Sequence, residues 1–348
     1  MRFYTSRHKH TCGIDLHART LYVCVLDRDG QVLVHRNLPA EPAALLACLA
    51  PYREDLVIGV ECMFSWYWVA DLCAEQQIPF VLGHALYMRA IHGGKAKSDR
   101  IDAYKIACLL AGGTFPTAYV YPRPMRATRD LLRRRLHLVR RRGQLLAHIQ
   151  NSFHQYNLAP PSARLAYKAN RVGIEEAFTE PAARKSMEVD LSLVAHFDGL
   201  IRDLELSLVR LAKAHDARSF HLLRSIPGVG KILAMTILYE VHDIARFPSV
   251  QDFASYSRLI KCARESAGKV KGTGGAKIGN VHLKWAFSEA AVLMLAKCPD
   301  VKALLEKLQR HHGKGKALSI LAHKIGRAVY FMLARKTPFD LQRFLAAA

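Results

Sequence analysis

The spacing of apolar positions changes twice along this chain, and each change predicts a different kind of structure. From about residue 10 to 118, short apolar runs interleave with helical spacing. GIDLHARTLYVCVLDRDGQVL reads as a strand, a reversal and a second strand leading to an Asp-Gly turn at Asp29-Gly30. QVLVHRNL follows as a third strand, then an Ala/Leu-rich helix near 41–50. LVIGVE, ending at Glu61, predicts another strand; FSWYWVADLCAEQ predicts an aromatic-rich helix and IPFVLGHA a short strand. KSDRIDAYKIACLLAGG has helical spacing and is closed by a glycine pair.

Beyond the two prolines of YPRPMRATRD the spacing becomes that of long helices. Leu132, Leu136, Val139, Leu146, Ile149 and Phe153 form one apolar seam; Val194, Phe197, Ile201, Leu204, Leu208 and Leu211 form a second, in strict 3-4 alternation. Two such helices are expected to pair as an antiparallel hairpin, within a chain or between subunits. The stretch between them, about 158 to 189, is Ala-rich with weak periodicity. From about 220, LLRSIPGVGKILAMTILYEV suggests a helix-hairpin-helix element with IPGVG as the hairpin. FPSVQDFASYSRL, VHLKWAFSEAAVLMLAKC and KALSILAHKIGRAVYFMLARK predict helices, and KCARESAGKVKGTGGAKIGN a Gly/Lys-rich loop. The expected fold class is α/β plus α, in segments 1–120, 121–218 and 219–348.

Composition narrows the partners. The 348 residues suffice for two or three domains, and 51% hydrophobic content excludes a disordered chain. With 51 Lys+Arg against 29 Asp+Glu the net charge is +22, which favours a polyanion, in the cytosol usually nucleic acid. The 8 cysteines contain no C-x-x-C pair, so buried free thiols are expected and a zinc site is not. No apolar leader follows MRFYTSRHKH, and no run is long enough to span a bilayer; the expectation is a soluble cytoplasmic protein without a membrane partner.

Against that basic background four acids stand out: Asp15 in the first strand, Glu61 ending another, and Asp99 and Asp102 three apart on one helix face. Singly each reads as a polar strand residue or a solvated helix face. Converging, each close pair would repel by roughly 4 kcal/mol at an effective dielectric near 20, so a cluster needs divalent cations. Oxygen-only donors favour Mg²⁺ or Mn²⁺, and such ions serve phosphoryl transfer. Arg123, Arg126, Arg129, Arg133, Arg134, Arg135, Arg140, Arg141 and Arg142 crowd one segment with few local carboxylates. Salt-bridge lacing therefore does not explain them, and a duplex or RNA backbone does. Ser266, with Arg264, Lys269, Lys271 and Lys277 among glycines, reads as a phosphate-contacting loop or as a nucleophile flanked by cations.

Three hairpin-linked strands followed by strand–helix–strand match the order of an RNase H-like domain by fold analogy. GIDLHA, IGVECM and KSDRIDAYKIA, then SIPGVGKILAMTIL and SYSRLIKCARESAGKVKGTGGAKIGNVHLKWAF, together resemble the DEDD-type insertion-sequence transposases with a C-terminal "transposase 20" serine domain. Piv DNA invertases are relatives, and characterised members are recombinases guided by a bridge RNA. The resemblance spans nearly the whole chain. It implies an RNase H/RuvC-like domain with Asp15, Glu61, Asp99 and Asp102 binding Mg²⁺ or Mn²⁺, a coiled-coil middle, and a helical C-terminal domain with Ser266 as nucleophile. It also implies DNA and guide-RNA partners and a homo-oligomer, dimer or tetramer, whose site combines acids of one subunit with the serine of another. Ala267 stands where the family commonly has glycine, and GTGGAKIGN departs from the usual stretch, which leaves Ser257 as the next candidate serine. The rivals are a RuvC-like endonuclease on branched DNA, which needs no serine, and a non-catalytic nucleic-acid-binding protein.

Overall fold

The computed structural model describes residues 2–91, 98–274 and 278–346, and the chain divides into two compact units at 123/124. In the first unit β1 (Phe3–Tyr4), β2 (His10–Leu16), β3 (Thr20–Leu26) and β4 (Val32–Pro39) precede α1 (Pro42–Leu49). Then come β5 (Leu56–Glu61), α2 (Tyr67–Glu75), β6 (Phe80–Gly83), α3 (Ala85–Ile91), α4 (Asp99–Ala111) and β7 (Phe115–Pro116). The main sheet has the order β4-β3-β2-β5-β6, with β2 antiparallel to β3 and parallel to β5. The hairpins and the parallel crossover expected from the apolar pattern are therefore present.

Strand alternation divides the core. Cys12, Ile14 and Leu16 face one side, packed with Leu45, Trp66, Val69 and Cys73 of the covering helices. Cys24, Leu26 and Val57 face the other, where Ala103, Ala107, Ile106 and Leu110 of α4 lie. Five cysteines (Cys12, Cys24, Cys48, Cys73 and Cys298) are buried free thiols, while Cys62 and Cys262 are exposed.

Among the described residues of the second unit the longer elements are α-helices and one β-hairpin, with an irregular stretch between the first two helices. α5 (Arg123–Gln155) begins at the boundary, α6 (Pro181–Arg224) returns, and α7 (Lys231–Val241) and α8 (Val250–Tyr256) lead to β8 (Cys262–Ser266) and β9 (Lys269–Gly274). α9 (Val281–Leu295), α10 (Pro299–His312), α11 (Lys314–Arg335) and α12 (Leu341–Ala346) complete it. α5 and α6 pair antiparallel within the chain: Arg135 Nε meets Glu205 at 2.8 Å, Arg142 meets Asp198 at 2.6 Å and His148 meets Asp190 at 2.5 Å. One set of numbers rises as the other falls. Val194, Ile201 and Leu208, seven apart, are buried, whereas Leu211 is 43% exposed. The second seam thus ends early, and α6 leaves helical geometry at Asp216 (φ −153°, ψ 80°), whose carboxylate accepts the Ser219 amide at 2.9 Å.

Packing is continuous across 218/219, because Met125, Leu132, Leu208 and Ala212 share a core with Phe220, Met235 and Phe287. The expectation that no segment is long and apolar enough to span a bilayer is corrected. α11 meets that test by length and composition, but Ala317, Leu321, Ile325 and Val329 lie in this core.

Candidate active site

Two glycines place the acid cluster. Gly13 of β2 and Gly59 of β5 are abreast in the parallel register. A Cβ on Gly13 would lie 2.2 Å from the Ala103 carbonyl oxygen and 2.4 Å from the Ala107 amide nitrogen; one on Gly59 would lie 2.6 Å from Leu110 Cδ1. α4 therefore lies directly on the sheet over these positions. Two residues further along each strand, on the same face, stand Asp15 and Glu61, brought abreast because Ile14 pairs with Val60. Two strand residues advance about 6.6 Å and one helical turn about 5.4 Å. Asp99, four residues before Ala103, is accordingly carried over Asp15.

The start of α4 is fixed by Ser98, whose Oγ accepts the Ile101 amide at 3.3 Å, and Asp99 and Asp102 occupy its first turn. The amide dipoles at that helix start offset part of the carboxylate charge. His17 Nε2 lies 3.4 Å from Asp15 Oδ2 and 3.3 Å from Asp99 Oδ1. Ligand atoms of Asp15, His17 and Asp99 all fall within 4.8 Å of one another. Burial pushes the Asp15 carboxyl above the usual carboxylate range, the charge of His17 opposes this, and Asp99 and Asp102 push it up further. Asp102 also has Lys105 Nζ at 3.9 Å. Of the four expected acids, Asp15 and Asp99 meet through His17, Asp102 acts on Asp15 through its charge, and Glu61 is half-buried on the neighbouring strand. Donors so arranged suit a hard divalent cation.

His17 escaped the sequence reading. Its signal was available, since it follows Asp15 by two residues, immediately after β2 ends at Leu16, and the strand's alternation extrapolates to the face of Asp15.

Ser266 lies in the second unit, on a β-hairpin and not in the irregular loop expected there. It pairs directly with Lys269 across a two-residue turn in which Ala267 (φ +51°) and Gly268 (φ +71°) are both left-handed. Ala267 thus occupies a position where a Cβ is strained, the physical reason a glycine suits it. Ser266, Lys269 and Lys271 are exposed. Lys277 and the side chain of Arg264 lie outside the described residues. Ser257, the other candidate, is 0% exposed at the end of α8, enclosed where a nucleophile must meet substrate. The first glycine of the IPGVG turn also has a packing role, because a Cβ on Gly228 would lie 2.5 Å from the Met294 amide nitrogen of α9.

The arginine cluster needs a correction: helices distant in sequence supply the missing carboxylates. Arg129 Nε and Arg133 Nε reach Glu240 at 3.0 and 2.9 Å, and Asn280 Nδ2 donates to it at 2.7 Å. Arg135 is held by Glu205, Arg142 by Asp198, and Arg123 reaches Glu75 at 3.1 Å; Arg126 is buried. Arg134, Arg140 and Arg141 are exposed, and Arg141 donates to Gln144 at 3.1 Å. Burial alone would raise the Glu240 carboxyl, but the Arg133 hydrogen bond, the Arg129 and Arg133 charges and the Asn280 hydrogen bond hold it at about 2.

Residues 12–158 match a transposase family model of the DEDD IS110 type, and residues 220–306 match the model described as transposase IS116/IS110/IS902 family. The chain is 24% identical over 334 residues to the "Transposase for insertion sequence element IS1111A" of Coxiella burnetii, an alignment covering 94% of this chain and 90% of that protein. It is 25% identical over 343 residues to a "Probable family 20 transposase" of Pseudomonas aeruginosa, covering 93% and 97%. The first match contains the acid cluster and the second the serine hairpin, in the order the motifs predict, and the chain belongs to the IS110 family of insertion-sequence transposases and is a DNA transposase.

Proposed function

We propose that this transposase cuts and rejoins DNA with two chemically distinct groups, the carboxylate cluster around Asp15 and the Ser266 hydroxyl. The observation that carries the reading is the convergence of Asp15, His17 and Asp99, with Asp102 near enough to raise Asp15. Asp15, Glu61, Asp99 and Asp102 would hold Mg²⁺ or Mn²⁺, which when bound supplies Lewis acidity toward phosphoryl oxygens. On the protein side, the Ser266 hydroxyl gives up its proton as the Oγ–P bond forms, the DNA P–O bond breaks, and the leaving oxygen takes up a proton in exchange. Attack by a second DNA hydroxyl then breaks the serine ester, so the phosphodiester energy is conserved and no water is consumed. Lys269, across the hairpin turn from Ser266, and Lys271 offset charge on the phosphate.

The first unit is read as an RNase H/RuvC-like domain, for which its strand order is the support. DNA element ends and target, a guide RNA and a homo-oligomeric assembly, dimer or tetramer, belong to the same reading. The net charge of +22 and the exposed Arg134, Arg140 and Arg141 support a nucleic-acid partner.

Trapping the reaction on a nicked element-end substrate and resolving it on a denaturing gel tests the assignment. Wild type is expected to leave protein covalently attached to DNA, and Ser266→Ala is expected to leave none. Recombination by Ser266→Ala would turn the reading to hydrolysis by the carboxylate site alone. Full activity of Asp102→Asn with Mg²⁺ would remove the carboxylate site from it.

A further inference from the structure

We infer that His17 is itself a ligand in the carboxylate centre and biases it toward Mn²⁺ over Mg²⁺, an inference that rests on reading the cluster as a divalent-cation site. The ring follows β2 directly, and its Nε2 stands 3.4 Å from Asp15 Oδ2 and 3.3 Å from Asp99 Oδ1. Both separations are long for hydrogen bonds, whose N···O distances fall at about 2.7–3.2 Å. A single ring nitrogen carries at most one N–H, so it cannot donate well to both carboxylates. The separations do fit donors sharing one ion. Ligands about 2.1 Å from a common centre lie about 3.0–3.4 Å apart for bond angles between right-angled and tetrahedral. Donor atoms of Asp15 and Asp99 also lie within 4.8 Å of each other.

Access favours the same role. The side chains of His17 and Asp99 are 49% and 55% exposed while Asp15 is 16% exposed, so a hydrated ion reaches two donors at the surface and a third at the sheet. Chemistry then sets the preference. Mg²⁺ keeps oxygen ligands and octahedral geometry, whereas an imidazole nitrogen is a better donor to a first-row transition ion. An all-carboxylate cluster would discriminate little on this ground; one containing His17 does.

The test uses the full-length protein loaded with Mn²⁺ alone or with Mg²⁺ alone, so it is read without activity. Pulsed electron paramagnetic resonance of the Mn²⁺-loaded wild type is expected to show coupling to a ¹⁴N nucleus, absent in His17→Asn. Calorimetric titration is expected to show the Mn²⁺/Mg²⁺ affinity ratio falling by about tenfold in His17→Asn, with circular dichroism unchanged. Absence of ¹⁴N coupling in wild type, or an unchanged ratio, overturns His17 ligation; if Asp15→Asn still abolishes Mn²⁺ binding, the carboxylate centre stands without it. Mn²⁺ binding unaffected by Asp15→Asn overturns both.

Discussion

Glu240 shows how far one residue reaches in this molecule. It is a carboxylate near the end of the largely apolar α7, 3% exposed at its side chain, and it gathers Arg129 and Arg133 of α5 and Asn280 just before α9. Asn280 in turn caps α9, its Oδ1 accepting the His282 and Leu283 amides at 2.9 and 3.0 Å. Replacing Glu240 by Gln leaves two arginines facing a neutral group, and removing one partner of a buried ion pair typically costs about 3–5 kcal/mol. The pH dependence has a definite sign. A carboxyl held at about 2 against an ordinary 4.5 contributes stability that is fully present above 4.5 and is lost as pH falls toward 2. Denaturant titrations from pH 5 to pH 2 should show wild type losing about 3 kcal/mol more than Glu240→Gln across that window. Equal losses would mean that the carboxylate is not held in this way. None of this was legible from sequence, since the partners of Glu240 lie 40 or more positions away and nothing local marks them. Asp15, by contrast, was legible, because alternation and the apolar run around it fix its strand and face.

At the level of elements, local periodicity predicted the strands of the main sheet, and the α5–α6 hairpin follows from two apolar seams of similar length. What periodicity left open was whether that hairpin forms within one chain or between two. In the structure the two helices pair within the chain: Arg135–Glu205, Arg142–Asp198 and His148–Asp190 run antiparallel along them. Arg171 from the connecting segment also joins Asp198, which ties that segment to the hairpin. Ile201 is 6% exposed in this seam and Leu204 is half-buried. Introducing Asp at both places unpaired carboxylates against apolar neighbours, and each costs several kcal/mol unless the helices separate. The double variant Ile201→Asp, Leu204→Asp should lose hydrogen-exchange protection along α5 and α6 while β2, β3 and β5 keep theirs. Retained protection in both helices would show that the seam is not a packed interface. The serine hairpin was missed for a related reason: glycines and lysines in KCARESAGKVKG mask strand alternation, and only the left-handed pair Ala267-Gly268 identifies the turn.

For the molecule as a whole, the excess of +22 has to be divided between charge that builds the fold and charge that remains for a polyanion. The arginine-rich stretch of α5 shows the division within a single helix. Arg129, Arg133, Arg135 and Arg142 are engaged by Glu240, Glu205 and Asp198, so removing them damages packing as well as charge. Arg134 and Arg141, seven positions apart, fall on one exposed line about 10 Å long, with exposed Arg140 beside it. Counterion release makes the two groups separable. Each phosphate that an arginine no longer neutralises flattens the slope of log K against log salt by about 0.9 on duplex DNA and about 0.7 on a single strand. Replacing Arg134, Arg140 and Arg141 by Gln should therefore flatten that slope by up to about three such steps while thermal stability stays at the wild-type value. Replacing Arg129 and Arg133 should instead lower stability first, through Glu240. A triple variant with unchanged slope would mean that the exposed arginines are only a solvated face, and that the nucleic acid is held by cations elsewhere, of which Lys269 and Lys271 on the serine hairpin are the next to replace.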